Sequence, residues 1–326
     1  MSATKCHRCG DRAAIELRQH RMVYCAECFL RHCREQVRRT IDRHAMLSSD
    51  DHPLVAVSGG KDSLAVWDIL LDLGYRADGL YLGLGIGQYS ERSAEHAREF
   101  AKRRGPRLIE VDLADEAGFA IPQAARGARP ACSACGLSKR HMINRAALEH
   151  GYEVVVTGHN LDDEAAVLFG NVLRWEVDYL ARQRPVLPES EGFARRVKPL
   201  VRLSERETAA YCAIRGINYI IEECPMAGGN RHLAYKEMLN QLEERQPGAK
   251  LSFVSGFVNR VQPMLSHAAD AGNADEAEVH PCSRCGSPTT SEVCAFCRLT
   301  DRVRDAAPTG RRGRRRTRRA AQRSQH

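Results

Sequence analysis

Residues 58–63 combine the residue types that bind a phosphate group. The apolar run Leu54–Val57 precedes them and a helical pattern starts at Leu64, which predicts a strand, a glycine turn and a helix N-terminus. Glycine lets the backbone approach a ligand, and the unpaired N–H groups of a helix start favour an anion. The spacing is not that of a Walker loop, because the lysine directly follows the glycine pair. The predicted phosphate site comprises Ser58, Gly59, Gly60, Lys61, Asp62 and Ser63.

Three inner cysteines could support redox or metal chemistry. Cys132 and Cys135 form a C-x2-C pair, and Cys224 follows the last predicted strand. Three thiols are one short of a closed tetrathiolate, which is typical of a catalytic metal site. A [4Fe-4S] cluster with one exchangeable iron fits this set, while persulfide chemistry without a cluster and a plain structural metal are alternatives. We expect Lys139, one turn after Cys135, to lower the thiol pKa values or to reach a nucleotide phosphate.

Eight further cysteines form two C-x2-C…C-x2-C patterns, one near each end of the chain. Such quartets bind Zn²⁺ in closed tetrahedral sites, so we interpret both as structural. His7, His32 or Cys33 could replace a ligand of the first quartet. The quartets are Cys6, Cys9, Cys25 and Cys28, and Cys282, Cys285, Cys294 and Cys297.

A second glycine-bearing turn, at residues 157–164, follows an apolar strand and starts a helix. Its two adjacent carboxylates suit Mg²⁺ held together with substrate phosphates. We predict that Gly158 and Asp163 contact the nucleotide or the metal. We predict that Asp162 instead caps the helix.

Apolar strands alternate with amphipathic helices, which predicts an α/β fold with a parallel sheet covered on both faces. Residues 175–192 lack periodicity and are expected to be loop. Ligands bind beyond the carboxyl ends of such strands, and we expect the adenine pocket near Leu82. Strands are expected at 54–57, 79–84, 107–113, 152–157 and 217–222, and helices at 29–46, 62–73, 90–104, 136–150, 162–173 and 204–215.

The positive charge of the chain is concentrated at its end. The 326 residues carry a net charge of +8, and residues 302–326 hold ten Arg against one Asp, so the rest is near −1. This tail is expected to be disordered and to bind an RNA backbone, or to be solvated without a partner. No apolar run predicts a membrane span or a secretory signal. We therefore expect a cytoplasmic protein whose 13 cysteines bind metal rather than form disulfides.

These patterns predict five parts. An N-terminal zinc finger and basic helix occupy residues 1–50, and a catalytic α/β domain occupies 51–265. A linker at 266–280 leads to a C-terminal zinc ribbon at 281–301 and the Arg-rich tail at 302–326. The arginines of the basic helix either touch RNA or form a solvated face.

The Ser-Gly-Gly-x-Asp-Ser segment resembles the pyrophosphate loop of the PP-loop ATP pyrophosphatases, which adenylate a substrate with ATP. Together with Cys-Ser-Ala-Cys-Gly-Leu-Ser-Lys at 132–139, Glu-Cys-Pro at 223–225 and both quartets, the chain resembles the PP-loop tRNA 2-thiolation enzymes. The nearer group acts on the T-loop uridine, position 54. The resemblance implies a cluster on the inner cysteines and Zn²⁺ in both quartets. It also implies ATP contacts from Ala56, Val57, Ser58, Asp62, Leu82, Lys139 and Gly158.

The chemistry implied by this family has two steps. Adenylation of a uridine O2 makes AMP the leaving group and releases pyrophosphate; Lys61 and Mg²⁺, with Asp62 on the metal side, would stabilise the phosphate charge. Sulfide, which an open iron of the cluster would hold and activate, then attacks C2. By family analogy the sulfur comes from a ubiquitin-like carrier protein with a C-terminal thiocarboxylate, and the enzyme is a homodimer.

Three other functions share part of this pattern. Thiolation of a wobble uridine, or of a cytidine to 2-thiocytidine, would use the same chemistry. A PP-loop amide synthetase that uses ammonia needs no trio of thiols, so Cys132, Cys135 and Cys224 argue against it. A non-catalytic zinc-ribbon RNA-binding protein would not need the intact phosphate loop.

Overall fold

The computed structural model describes residues 5–126, 130–228, 231–272 and 279–306. The strands are β1 (Ile15–Leu17), β2 (Met22–Tyr24), β3 (Leu54–Val57), β4 (Asp78–Gly83), β5 (Leu108–Asp112), β6 (Val154–Thr157), β7 (Val186–Leu187), β8 (Arg195–Val197), β9 (His280–Pro281) and β10 (Pro288–Thr289). The first helices are α1 (Ala26–Arg43), α2 (Lys61–Asp72), α3 (Gly87–Arg104), α4 (Leu113–Ala117), α5 (Ile121–Ala124), α6 (Ala131–Glu149) and α7 (Leu161–Arg174). The later helices are α8 (Val177–Arg182), α9 (Glu205–Arg215), α10 (Arg231–Arg245), α11 (Ala249–Gly256), α12 (Gln262–Gly272) and α13 (Ala295–Ala306).

A six-stranded sheet with the order β5-β4-β3-β6-β8-β7 forms the centre of the fold. All neighbours are parallel except β7, which runs antiparallel to β8. The central strand β3 is paired on both sides, with Ala56 opposite Leu80 of β4 and Thr157 of β6. The predicted α/β class with a parallel sheet is therefore confirmed, and the carboxyl ends of β3, β4 and β6 lie at one edge.

Helices cover both faces of this sheet. On one face α1, α2, α3 and α9 share a core with β3, in which Phe29, Trp67 and Tyr211 are fully buried. On the other face α6 packs through Ala146 and Ala147 against β3 to β6. Since both faces are covered, β3 is apolar throughout and β6 is apolar up to Val156, which is why their sequences predicted them well.

Two predictions about the second half of the domain are wrong. Residues 217–222 form no strand, and the place in the sheet beside β6 is taken by β8. They make a backbone hydrogen bond from Ile220 N to Gly59 O instead, at 3.0 Å. The predicted loop 175–192 contains α8 and β7, and the polar segment Arg195–Val197 supplies the strand beside β6.

The flanking modules are small hairpins with a helix. β1 and β2 pair ahead of α1, and β9 and β10 pair ahead of α13. α12 continues to Gly272, so the first part of the predicted linker 266–280 is helical; residues 273–278 lie outside the described residues. α13 runs to Ala306, into the predicted tail, and the tail residues 307–326 also lie outside them. Among the described residues, no helix has the length and apolar character needed to cross a membrane.

Candidate nucleotide and thiol site

The phosphate loop connects β3 to α2 with the predicted geometry. Gly59 has a φ of +73°, and a Cβ there would collide with the carbonyl oxygen of Ser93. Gly60 is the N-cap of α2, so the free N–H groups of the first turn face the loop. Ser63 Oγ donates to Gly60 O at 2.9 Å and accepts from Ser58 N at 3.1 Å, which holds the turn closed. Only glycine fits position 59 without strain.

Gly158 places the end of β6 directly against this loop. A Cβ at Gly158 would lie 2.8 Å from the backbone carbon of Asp62 and from the backbone nitrogen of Ser63. A side chain would therefore push the β6 edge away from the α2 N-terminus. The two turns that sequence reasoning singled out thus form one cradle.

A cavity of about 510 Å³ opens above this cradle. Nine of the twelve predicted nucleotide-binding residues line it, while Gly59, Gly60 and Lys61 do not. The nine are Ala56, Val57, Ser58, Asp62, Ser63, Leu82, Lys139, Gly158 and Asp163. Its volume and mostly apolar wall beside polar groups are those of a small-molecule site.

Three cations that sequence reasoning missed also line the cavity. Arg196 and Lys198 extend from β8, and Arg140 follows Lys139 on α6. Burial lowers the pKa of Arg196, and the charge of Arg140 lowers it further. Lys198 pairs with Glu164 at 2.8 Å, whereas no described carboxylate pairs with Arg140 or Arg196. Two such guanidinium groups suit an anionic ligand such as a polyphosphate.

Lys61 points away from this cavity. Its Nζ lies 2.7 Å from Glu205 and 3.1 Å from Asp62, and it lines a neighbouring cavity that also contains Cys224. Burial would lower the Lys61 pKa, but the two carboxylates outweigh it and raise the pKa. Burial would raise the pKa of Glu205, but Lys61 and Lys236 outweigh burial and lower this pKa to about 2.

Asp62 is the polar centre of the loop. Its Oδ1 accepts from Asn160 Nδ2 at 3.0 Å and from Thr208 Oγ1 at 2.5 Å, and its Oδ2 accepts from Lys61. These three donors come from the α7 N-cap, α9 and α2, so they fix the carboxylate on three elements. A carboxylate has about four acceptor positions, which leaves room for one further ligand.

Asp163 lines the cavity, whereas Asp162 does not cap its own helix. Asn160 caps α7, and Asp163 completes the capping box by accepting from Asn160 N at 3.2 Å. Asp162 is buried and accepts from Glu205 N at 2.8 Å, so it binds the first N–H group of α9 rather than capping its own helix, and it pairs with Lys250. Capping of α7 by Asp162 was therefore wrong. The helix begins at Leu161, which turns the two neighbouring carboxylates in different directions.

The three inner cysteines gather beside the cavity. Cys132 and Cys135 lie in the first turns of α6, and the Cys224 loop packs with Cys135 and Met226 in one apolar cluster. Cys132 Sγ lies 3.7 Å from Met226 O. Burial raises the Cys135 pKa, with Lys139 acting in the opposite direction and the other two thiols adding to the rise. The charge of Lys139 therefore acts on that pKa in the expected direction, but burial outweighs it.

The apolar, partly open pocket suits a metal–sulfur group. Cys132 is exposed, whereas Cys135 and Cys224 are half-buried. Tyr89 lines both cavities. Burial raises its pKa most, and the charges of the nearby Cys224 and Cys135 raise it further. A soft set of three thiolates fits an iron–sulfur cluster with an open position.

Both outer quartets have the geometry of closed tetrathiolate sites. In each quartet the four sulfur atoms lie within 4.8 Å of one another. Cys9 Sγ and Cys25 Sγ are 3.5 Å apart, and Cys285 Sγ and Cys294 Sγ are 3.7 Å apart. The edge of a tetrahedron with Zn–S bonds of about 2.3 Å is about 3.8 Å, so both sets fit Zn²⁺. Neither His7, His32 nor Cys33 belongs to the first set.

Comparison with known proteins agrees with this geometry. Residues 31–228 match the PP-loop domain, residues 5–30 match the N-terminal LIM domain of the 2-thiouridine synthetase TtuA, and residues 279–298 match the four-cysteine zinc-finger domain of RecR. The chain is 52% identical over 299 residues to the tRNA-5-methyluridine(54) 2-sulfurtransferase of Thermus thermophilus, with 91% of each chain covered. It is 40% identical over 298 residues to the protein of the same name from Pyrococcus horikoshii, covering 90% of this chain and 93% of that one.

A solved structure extends the likeness to the whole fold. The U34-tRNA thiolase NcsA from Methanococcus maripaludis, determined with its [4Fe-4S] cluster, superposes with a TM-score of 0.78 at 27% identity. The superposition covers 93% of this chain and 97% of that one, so both flanking modules fall largely within it. With its phosphate cradle, inner cysteines and two zinc-finger modules, this chain belongs to the family of PP-loop tRNA 2-thiolation sulfurtransferases.

Proposed function

We propose that this chain replaces O2 of the uridine at position 54 of tRNA with sulfur, after adenylating that oxygen with ATP. The observation that carries the proposal is the sharing of α6 by two sites. This helix bears Cys132 and Cys135 in its first turns, and Gly136, Lys139 and Arg140 of the same helix line the nucleotide cavity. A substrate activated in the cavity would thus meet the sulfur chemistry within one or two helical turns.

The choice of position 54 rests on the relatives. Proteins named for 5-methyluridine 54 are 52% and 40% identical to this chain, whereas the structurally similar U34 thiolase is 27% identical. Uridine at the wobble position is the alternative that the experiment below separates.

In the first step, the uridine O2 attacks the α-phosphorus of ATP and pyrophosphate leaves. The N–H groups at the start of α2, with the Ser58 and Ser63 hydroxyls, would bind phosphate oxygens. Lys139, Arg140 and Arg196 would neutralise the negative charge that grows on the phosphates. Mg²⁺ would be held by Asp62 together with the phosphates.

Lys61 has a different role in this proposal from the one its sequence position predicted. Because its ammonium group bridges Asp62 and Glu205, it would position the Asp62 carboxylate rather than touch the phosphates. Asp163 is likewise held by Lys236 at 2.6 Å and lines the cavity as part of a fixed network.

In the second step, sulfide adds to C2 of the uridine and AMP leaves. Cys132, Cys135 and Cys224 would hold a [4Fe-4S] cluster, which when bound supplies an open iron position for the sulfide. The apolar wall that Cys135 and Cys224 share with Met226 would keep water from competing with sulfide for the adenylated carbon.

The remaining features of the proposal concern cofactors and partners. Each outer quartet would hold one structural Zn²⁺, since its sulfur atoms are already at tetrahedral spacing. The substrate is tRNA, the sulfur donor is a ubiquitin-like carrier protein with a C-terminal thiocarboxylate, and the enzyme is a cytoplasmic homodimer.

The test is product analysis in an anaerobic reaction with ATP, Mg²⁺ and sulfide. We expect a 2-thiolated nucleoside by mass spectrometry, formed with a tRNA changed at position 34 but not with one changed at position 54. Asp62→Ala should abolish the product, whereas Leu148→Ala, at an exposed position on the far end of α6, should not. Product formed at position 34 alone would overturn the assignment to uridine 54.

A further inference from the structure

Three side chains meet at the seam between the N-terminal module and the catalytic domain. His20 ends the short 3-10 turn between β1 and β2, His32 lies on α1, and Glu207 lies in the first turn of α9. The side chains of His32 and Glu207 are 5% and 1% exposed, and that of His20 is 18% exposed. None of the three belongs to the nucleotide site or to a cysteine quartet.

The three groups aim unsatisfied atoms at one another. His20 Nε2, His32 Nε2 and Glu207 Oε1 are all buried, and none makes a hydrogen bond within the described part of the chain. The carboxylate oxygen lies 3.7 Å from His20 Nε2 and 3.4 Å from His32 Nε2. Burying polar atoms without partners costs about 1–3 kcal/mol each, so a cluster of three calls for a ligand.

The other ends of two of these side chains are well anchored. The Tyr24 hydroxyl lies 3.4 Å from His32 Nδ1. Glu207 Oε2 accepts from Ser204 N at 2.8 Å, from Ser204 Oγ at 2.7 Å and from Gln19 Nε2 at 3.1 Å. When His32 Nδ1–H donates to the tyrosine oxygen, its Nε2 keeps a lone pair, which is the form that binds a metal.

The spacing of the three free atoms fits a small cation. Bonds of about 2.0–2.1 Å from Zn²⁺ to nitrogen or oxygen place tetrahedral ligands about 3.3 Å apart. We propose that His20, His32 and Glu207 bind a divalent transition-metal ion of the Zn²⁺ class, with water in the fourth position. A single ion would satisfy all three orphaned atoms, and two imidazoles with one carboxylate are a ligand set that such ions accept.

The position of this site indicates that the ion would have a structural role. The two histidines come from the N-terminal module and the carboxylate from the catalytic domain, so the ion would tie the two together. Glu205, half a turn before Glu207 on α9, pairs with Lys61 of the phosphate loop at 2.7 Å. The ion would therefore brace the helix that positions the loop, and this inference stands whatever nucleoside the enzyme modifies.

The decisive measurement is the metal content of the anaerobically purified full chain. Elemental analysis should find one equivalent of zinc-class metal fewer in His20→Ala and in His32→Ala than in the wild type. Gln19→Ala is the matched control, because it removes a hydrogen bond to Glu207 from the residue beside His20 but takes away no ligand. Its metal content should equal that of the wild type.

Co²⁺ separates this site from the cysteine quartets. Titration of wild-type chain stripped by a mild chelator should give the weak visible bands of histidine- and carboxylate-bound Co²⁺ without a sulfur-to-metal charge-transfer band. His20 is partly exposed, so His20→Ala should fold and should lose these bands. Equal metal content in all four proteins, with the same Co²⁺ spectrum, would overturn the proposal and leave a histidine–glutamate ion pair.

Discussion

In each outer quartet the four sulfur atoms lie within 4.8 Å of one another, whereas the three inner cysteines do not form such a group in the described ranges. Each quartet comes from a short stretch of chain, and backbone N–H groups point at its sulfurs, as Cys28 N does at Cys25 Sγ and Cys294 N at Cys282 Sγ. The three inner cysteines come from two distant segments: Cys132 and Cys135 lie at the start of α6, and Cys224 lies in a loop.

We interpret this difference in sulfur spacing as the difference between structural metal sites and reactive ones. A closed set of four ligands leaves a metal no open position, so its contribution is to folding. A set of three, assembled only after the α/β domain has folded and placed beside a nucleotide cavity, has room for a reactant. In the proposed function, the same residue type thus serves stability at the two ends of the chain and chemistry between them.

The largest effect should follow from breaking the inner set. We expect Cys224→Ser to lower tRNA thiolation on the order of 10⁴-fold, the scale seen when a group essential to the chemistry is removed. Anaerobic analysis should find about four irons with acid-labile sulfide in the wild type and a selective loss of both in the variant. Zinc should be retained, because both quartets are intact.

Cys33→Ala is the matched control for this substitution. Cys33 is fully buried in the α1 core, and burial raises its pKa well above the usual range, so it is an inert thiol. Its loss should leave thiolation nearly unchanged. If the wild type instead holds zinc without iron and still thiolates tRNA with sulfide, the cluster proposal fails.

Breaking an outer quartet should act on stability instead. Cys25→Ser should remove one Zn²⁺ and loosen α1, whose Phe29, Val37 and Ile41 are buried in the main core. A loss of about 3 kcal/mol would lower the melting temperature by roughly 4–5 °C in a chain of this size. Calorimetry and zinc analysis measure both effects. Thiolation per folded molecule at low temperature should fall far less than in Cys224→Ser, and an equal fall would contradict the division into structural and reactive sites.

The sequence predicted those parts of the fold in which a local pattern, such as an apolar run or a glycine, is enough to determine the structure. β3 and β6 are apolar runs in a sheet covered on both faces, and the glycines at 59 and 158 are required by close backbone contacts. β8 is not predicted because Arg195 and Arg196 give it no apolar run, although Arg196 supplies the cavity with a half-buried cation. Residues 217–222 were wrongly predicted as a strand because an apolar run does not reveal whether a sheet edge is free.

Contacts between distant segments were the part that local patterns could not supply. His32 was considered only as a substitute ligand for the first zinc quartet, yet its partner Glu207 lies on α9. That Asn160 rather than Asp162 caps α7 depends on where the helix begins, which the local pattern does not fix. The direction of Lys61 depended on Glu205, 144 residues away along the chain.

The smallest predicted effect is a pH dependence of stability, at the contact between the C-terminal module and α6. His141 of α6 stacks on Phe296 with ring centroids 4.0 Å apart, and burial, aided by Arg145, lowers its pKa to about 4. The folded chain therefore binds fewer protons at this residue than the unfolded chain, whose histidine has a pKa near its ordinary value of about 6.5. The contact stabilises fully above pH 6.5 and less as the pH falls towards 4.

His141→Phe should keep the stacking and remove this pH dependence. Between pH 7.5 and 5 we expect the wild type to lose about 1–2 kcal/mol more stability than the variant, a figure reduced for the partial exposure of the ring. Thermal unfolding of both proteins at the two pH values measures the difference. Because acid weakens thiolate–zinc binding equally in both, the comparison isolates the histidine. Equal losses would show that the module is attached to α6 by its zinc-supported fold alone, without a contribution from the neutral imidazole.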